Sequence, residues 1–413
     1  MTSAARPPHP DPLPPRVERE GSAPLTPTLS PGAGEREETA ELPTYTRWPV
    51  ALIRGEGSTV WDTSGKSYLD LYGGHAVAAT GHCHPEVVRA IREQAGTLLF
   101  YSNVVALPVR ARAAQVIAAQ APPPLSKVFF VNSGTEANEN AMRLARRFTG
   151  RTDILSFDGG FHGRTADAIS AAGLAKYREM GKPNVPGHRL APFGDLAAAE
   201  AALDEDVAAV LLEPIQSLAG VVTAPASYFQ GLRTLCDERG VQLIYDEVQT
   251  GFGRTGTFFF AGRHGVVPDL VTLAKGIGSG FPMGAVLVSE EIAATVKPED
   301  YGTTFGGGPL ACAAAEATVR VILEEGLLGN VRAGSHRLEQ GLAGLARVRE
   351  VRGEGFLLGV ALDRPARPVR EALLERGFLV GGSDLPDVLR LLPPLVLTAE
   401  EIDRFLEAVR EIL

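Results

Sequence analysis

The sequence predicts an α/β protein: a large domain on a mostly parallel sheet, joined to a smaller α+β domain. Three observations carry that expectation. Short continuous apolar runs alternate with helical stretches through the middle of the 413-residue chain, the pattern of a sheet covered on both faces. Hydrophobic residues make up 45% and charged residues 22%, the balance of a folded globular chain. The last third changes rhythm, to strand-like pieces and a closing amphipathic helix.

Residues 1–43 stand apart. They hold ten of the 30 prolines and no Phe, Trp, Tyr or Ile, so they bury too little apolar surface to offset chain entropy and read as a disordered tail. They contain no apolar stretch of the signal-peptide kind. Residues 44–74 carry two strand-like runs, STVWD (58–62) and KSYLDL (66–71), and are assigned to the small domain. Residues 75–308 form the large domain. Val88, Ile91, Ala95 and Leu98 fall at helical spacing over 85–99. LSKVFFV (125–131) reads as a buried strand and 135–148 as a helix. ILSF (154–157), VAAVLLE (207–213), VQLIYDE (241–247) and DLVTLAK (269–275) read as further buried strands, with a helix over 228–238. Residues 309–413 form the C-terminal small domain. It opens on a helix from Pro309 and includes VRGEGFLLGVAL and VLRLLPPLVL as strand-like pieces. Its final helix puts Ile402, Phe405, Leu406, Val409 and Leu413 on one face, behind a Thr398/Glu401 capping box.

Several function classes are excluded at this stage. The net charge of −9 argues against nucleic acid or anionic membrane as partner, since both need positive charge. No apolar run approaches the roughly 18 residues of a membrane span. Cys83, Cys236 and Cys312 form no CxxC pair, which points to a reducing compartment, the cytoplasm. His82-Cys83-His84 looks like a metal pair but has no further ligand at a sensible spacing, so no metal is expected.

Four places carry chemistry. Asn132-Ser133-Gly134-Thr135-Glu136 lies between a strand and a helix; a small glycine-containing turn there offers free N–H groups to a phosphate, or is a plain cap. Asp246 ends the run VQLIY, where ligands of open sheets gather, and needs a ring nitrogen, a metal or an arginine as partner. Lys275 closes another apolar run; a desolvated amine there can bond covalently to a carbonyl, unless it simply reaches solvent. Phe161, His162 and Arg164 share a glycine-flanked turn that can stack on a ring and clamp a carboxylate, or be a surface loop. A phosphate cradle, a stacking aromatic, an acid for a ring nitrogen and a lysine together match one cofactor, pyridoxal 5′-phosphate.

With these residues in view, the chain resembles the class III, ornithine-type aminotransferases of the fold-type I pyridoxal-phosphate enzymes, the acetylornithine group above all. GHCHPEV, FFVNSGTEANE, FHGRT, EPIQ, YDEVQTGFGRTG, PDLVTLAKG, TTFGG, RGEG and RLLPPL carry the resemblance from about Tyr45 onward. It implies an α/β fold with a seven-stranded type of sheet. It implies Lys275 as the residue tethered to the cofactor and as proton carrier, and Asp246 as partner of the ring nitrogen. The segment Asp246, Glu247, Val248 and Gln249 lies against the cofactor, with Gln249 near the phenolic oxygen. Gly134 and Thr135 hold the phosphate, Phe161 stacks on the ring, and Thr304 reaches the phosphate of a neighbouring subunit, implying a homodimer with shared active sites. Arg164 and Thr303 contact substrate, and Arg390 binds the carboxylate of the keto acid. The implied reaction moves an amino group from a donor, N2-acetylornithine as the best match, to 2-oxoglutarate.

Three departures bear on the substrate. The family commonly reads EPIQGE, whose last glutamate screens the C-terminal arginine; here Ser217-Leu218 follows Gln216, leaving Arg390 open to carboxylates. His75 stands where the family favours an apolar or tyrosine side chain. Gly308 replaces an asparagine. Other ω-amino or α-amino donors therefore stay open, as does an aminomutase or decarboxylase of the same fold. A non-enzymatic regulator that binds the cofactor is disfavoured by the complete Lys275/Asp246 pair and the acidic balance. A nicotinamide dehydrogenase fails for want of the dinucleotide fingerprint.

Overall fold

The structure is a computed structural model that describes residues 42–413. The expected tail, residues 1–43, therefore lies outside the described residues except for Leu42 and Pro43. The chain divides into a unit ending at Ala51 and a second spanning Leu52–Leu413. In the first, residues 42–51 form no helix or strand; two local bonds bend the backbone, Thr44 N to Leu42 O and Val50 N to Trp48 O.

The second unit holds three sheets. Strands β1 (Leu52–Glu56), β2 (Thr59–Asp62) and β3 (Ser67–Asp70) open it. Seven follow: β4 (Leu125–Val131), β5 (Asp153–Phe157), β6 (His188–Ala191), β7 (Val207–Leu212), β8 (Gln242–Asp246), β9 (Leu270–Leu273) and β10 (Gly284–Ser289). The rest are β11 (Val348–Glu354), β12 (Leu357–Leu362), β13 (Phe378–Leu379), β14 (Gly381–Gly382) and β15 (Val388–Leu391). The sheets run β1-β2-β3-β13, β4-β10-β9-β8-β7-β5-β6 and β11-β12-β15-β14. In the seven-stranded sheet only β10 is antiparallel to its neighbours. The mostly parallel sheet that the apolar runs predict is thus present. Its central strands VAAVLL and LVTL are buried along their whole length, as strands covered on both faces must be.

Helix Gly134–Thr149 lies on this sheet with Ala137, Asn138, Ala141, Met142, Leu144 and Ala145 inward. Ser133 caps it, its hydroxyl accepting from Glu136 N, and Gly150 ends it in the left-handed conformation. Helix Ala399–Ile412 shows the predicted capping box, Thr398 and Glu401 exchanging hydrogen bonds. Long-range pairings tie the chain ends together: β13 pairs in parallel with β3, and Leu392 N donates to Leu71 O. Arg254, 2% exposed, donates Nη1 to the carbonyls of Phe356 and Pro393. It thereby fastens the loop after β8 to the C-terminal sheet.

Candidate active site

Parallel strands aim their carboxyl ends at one edge of a sheet, where ligands of open α/β folds bind. Here β4 ends just before Asn132, β5 before the turn at Phe161, β7 before Glu213, β8 at Asp246 and β9 two residues before Lys275. The residues singled out in the sequence thus share one edge because of topology.

Asp246, 3% exposed, is the best-held group. Its Oδ2 accepts from His162 Nδ1 and from Asn138 Nδ2, both at 2.8 Å, and its Oδ1 from Val248 N at 3.1 Å. Asn138 is in turn oriented by Thr272, whose hydroxyl donates to Asn138 Oδ1 at 2.6 Å. A carboxylate oxygen only accepts, so the His162 proton sits on Nδ1. Its Nε2 is buried with no partner. Asn138 and the role of His162 are missed by sequence patterns. The available signal was an asparagine on the apolar face of an amphipathic helix, where an unpartnered amide is costly.

Lys275 does not sit inside a strand as its apolar run suggests. The strand stops at Leu273, and Lys275 opens a one-turn 3-10 helix, Lys275–Gly278, with φ +46°. A left-handed lysine is strained, and the turn swings it off the sheet into the site. Burial pushes its amine below the ordinary lysine range, against the pull of Asp246 and Glu213. Glu213 is buried beside them. Its carboxyl accepts from Phe161 N at 2.8 Å and Ser217 N at 3.4 Å. Burial first, then the charge on Asp246, pushes it up to about 7. Glu247 is also pushed up to about 7 by burial, but it faces away: it accepts from Phe260 N, Ala261 N and the Thr250 hydroxyl.

Gly134 and Thr135 are the first two residues of their helix, so their N–H groups have no intrahelical carbonyl. A Cβ at Gly134 would meet Val248 at 3.0 Å, so the absent side chain keeps this cradle open. The Thr135 and Thr165 hydroxyls lie 2.5 Å apart, and Thr165 donates to Glu139. Phe161 is half-buried and meets Tyr177 edge-on at 5.0 Å between centroids; Arg164, exposed, lies 5.1 Å from the same ring. The Gln249 Oε1 is buried without a partner. Thr303 is engaged within its own chain, accepting from Asn132 Nδ2 and Gly306 N, both at 3.1 Å. Thr304 is exposed.

Arg390 is 2% exposed to solvent, because β15 is an inner strand of its sheet. Tyr72 lies beside it, its ring centroid 5.9 Å from the guanidinium carbon. The Tyr72 hydroxyl is 2.6 Å from His75 Nδ1. Burial, then the charges of Arg390, Lys275 and Arg164, push His75 down to about 4, so its ring is neutral. The other histidine pair has separate partners: His82 meets Asp70 at 2.8 Å and His84 meets Glu325 at 3.2 Å.

The site fits pyridoxal phosphate on these grounds. A helix start offers free N–H groups of the kind that suit a phosphate, a hydrogen-bonded buried acid suits a ring nitrogen, the Gln249 amide oxygen is buried without a partner, and the amine of Lys275 is lowered by burial.

The sequence profile of the family "Aminotransferase class-III" matches residues 43–413. The acetylornithine aminotransferase of Methanopyrus kandleri is 46% identical over 384 residues, 92% of this chain and 98% of that protein. The ornithine aminotransferase of Toxoplasma gondii, solved with pyridoxal phosphate at partial occupancy of its active site, superposes with a TM-score of 0.85. It is 31% identical, covering 89% of this chain and 90% of that one. An (S)-enantioselective ω-transaminase of Thermomicrobium roseum gives 0.83 at 35% identity, covering 88% and 92%.

Proposed function

The chain belongs to the class-III aminotransferases, which work with pyridoxal phosphate on small amino and keto substrates, and from that premise we propose that it carries an amino group from N2-acetylornithine to 2-oxoglutarate. The products are a semialdehyde and glutamate. One observation supports the donor most: relatives that carry the acetylornithine aminotransferase name reach 46% identity along nearly their full length.

When bound, pyridoxal phosphate supplies a carbonyl carbon that exchanges for the amino group and a ring that draws electrons from the reacting carbon. The chain's residues then have distinct tasks. Lys275 tethers the cofactor and moves a proton at the substrate carbon; burial lowers its proton affinity, which suits a base working near neutrality. Asp246 keeps the ring nitrogen protonated, and His162 and Asn138 hold its oxygens in place. Gly134 and Thr135 take the phosphate. Phe161 would stack on the cofactor ring, with Val248 and Gln249 beside it, while Glu247 braces their segment from behind through Phe260 N, Ala261 N and Thr250. Thr303, Arg164 and Arg390 meet the substrate, the last two through carboxylates.

The same proposal includes a homodimer acting in the cytoplasm. Leu99, Tyr101, Val104 and Phe305 are exposed large apolar residues, Val104 at 87%. Phe100 and Phe305 pack 5.3 Å apart, and Asn103 donates to Thr303 O. An apolar strip of this kind invites a partner. It adjoins Thr304, so a second copy seated there would meet the phosphate end of the site. The expected sedimentation mass is twice that of the chain; a monomer that is active at nanomolar concentration would refute the shared site. Among the described residues no helix is long and apolar enough to cross a membrane.

The donor is tested on purified holoenzyme. N2-acetylornithine should bleach the visible cofactor band and 2-oxoglutarate should restore it, with one glutamate formed per turnover. Should acetylornithine leave the band intact while another ω-amine bleaches it, the donor is wrong. The likeness to an ω-transaminase and the leucine at 218 make that the second reading.

A further inference from the structure

Arg390 is a buried cation among neutral partners. Its Nη1 donates to Ser217 Oγ at 3.0 Å and its Nε to Gly382 O at 2.5 Å, and Tyr72, whose ring lies alongside, also hydrogen-bonds to the guanidinium. Among the described residues no carboxylate oxygen comes within the 4.0 Å of an ion pair. Glu213, whose charge it senses, is occupied by the Phe161 and Ser217 amides instead.

Ser217 is itself firmly fixed. It is 1% exposed. Its carbonyl accepts from Gly220 N at 3.2 Å and Val221 N at 3.1 Å, closing a tight turn after β7. Arg352 Nε holds that turn through Gly220 O at 2.8 Å, and Asp384 N holds it through Leu218 O at 2.8 Å. The hydroxyl is therefore delivered to Arg390 from a braced backbone. Leu218, next along, brings no charge.

We propose that Ser217 is the positioning residue of Arg390: its hydroxyl takes one guanidinium N–H without cancelling the charge, so the cation stays aimed and free to receive a substrate carboxylate. A buried guanidinium must have its donors met, or desolvation pulls it out of line. An acid would meet them too, yet would also neutralise the charge the substrate needs. A neutral oxygen satisfies geometry alone. The inference rests on the proposed role of Arg390 in binding carboxylates.

The test uses holoenzyme carrying Ser217→Ala, Ser217→Asp or Arg390→Lys. Two quantities are read: KM and kcat for 2-oxoglutarate, and the dissociation constant of glutarate, a dicarboxylate that cannot react. Ser217→Ala should raise KM and the glutarate constant together by roughly 5–10-fold, with kcat within about twofold, the mark of lost binding rather than lost chemistry. Ser217→Asp should raise both by on the order of 100-fold. Ser217→Ala removes one buried oxygen and adds no bulk, so it stays informative if the aspartate variant does not fold. If Arg390→Lys weakens glutarate but Ser217→Ala changes neither quantity, the inference is overturned while Arg390 keeps its role. If Arg390→Lys also changes neither, the carboxylate role itself fails and this inference falls with it.

Discussion

Replacing Lys275 by alanine should cut transamination by at least about 10,000-fold, the upper range for a lost proton-transfer group, while leaving the fold intact. The chain has six lysines. Lys66, Lys127, Lys176, Lys182 and Lys297 are exposed; Lys275 alone is half-buried. No other lysine among the described residues is buried, so none has its amine desolvated as Lys275 does. Lys275→Arg should be equally inactive, since a guanidinium neither gives up its proton near neutral pH nor forms a reversible bond to a carbonyl carbon. Truncation adds no backbone strain, for the left-handed φ at this position costs alanine no more than lysine. Two measurements check this. Single-turnover rates with the amino donor give the chemical step. Mass spectrometry after borohydride treatment should find the vitamin's mass on the peptide that contains residue 275 in the parent protein and nowhere in the variant. Activity within tenfold of the parent, or the adduct on another lysine, would remove Lys275 from its assigned place.

Much of this architecture can be read in the chain before any coordinates. Parallel strands buried on both faces announce themselves as unbroken apolar runs, so β7 and β9 are visible as VAAVLL and LVTL. A carboxylate or amine that closes such a run stands out because the run defines what should not be charged. That is why Asp246 and Lys275 attract attention. Other features depend on which segment lies beside which, and apolar period says nothing about lateral neighbours. The antiparallel β10, wedged between β4 and β9, looks like any other buried strand. The pairing of β3 with β13 joins segments some 300 residues apart and leaves no local trace. The short 3-10 turn that redirects Lys275 has no signature in the apolar run that precedes it. Arg390 shows the limit most plainly. Resemblance marks it as an anion binder, and the leucine at 218 suggests a cation open to carboxylates. Only the crossing of the turn after β7 with β15 reveals the Ser217 hydroxyl at its side. Family motifs identify residues; the hydrogen bonds among them come from tertiary contacts.

Asp246→Ala should cost about 1,000-fold in rate, the scale seen when a preorganised charge is taken from a reacting site. It should also cost stability, unlike the lysine change. The reason lies in what the carboxylate holds. His162 Nδ1, Asn138 Nδ2 and Val248 N all donate to it inside the protein. Alanine leaves two buried donors, His162 Nδ1 and Asn138 Nδ2, unmet at about 1–3 kcal/mol each before relaxation or entering water reduces the sum, and the part-buried Val248 N adds less. Asp246→Asn separates the two effects. An amide of the same shape keeps one acceptor and most of the packing, yet cannot hold a proton on a ring nitrogen. It should therefore retain more stability than Asp246→Ala and almost as little activity. Denaturant unfolding of the apoproteins ranks the stabilities without involving turnover. The ring-nitrogen 15N shift of labelled cofactor reports its protonation directly, and should move to the unprotonated value in both variants. Asn138→Ala supplies the intermediate case: it takes away one of the two groups that hold Oδ2 and also strands the Thr272 hydroxyl, so a loss of roughly tenfold is expected with the nitrogen still protonated. An Asp246→Asn enzyme with parental rate and an unchanged 15N shift would mean that some other group carries the charge opposite the ring, and the edge of the sheet would have to be searched again for it.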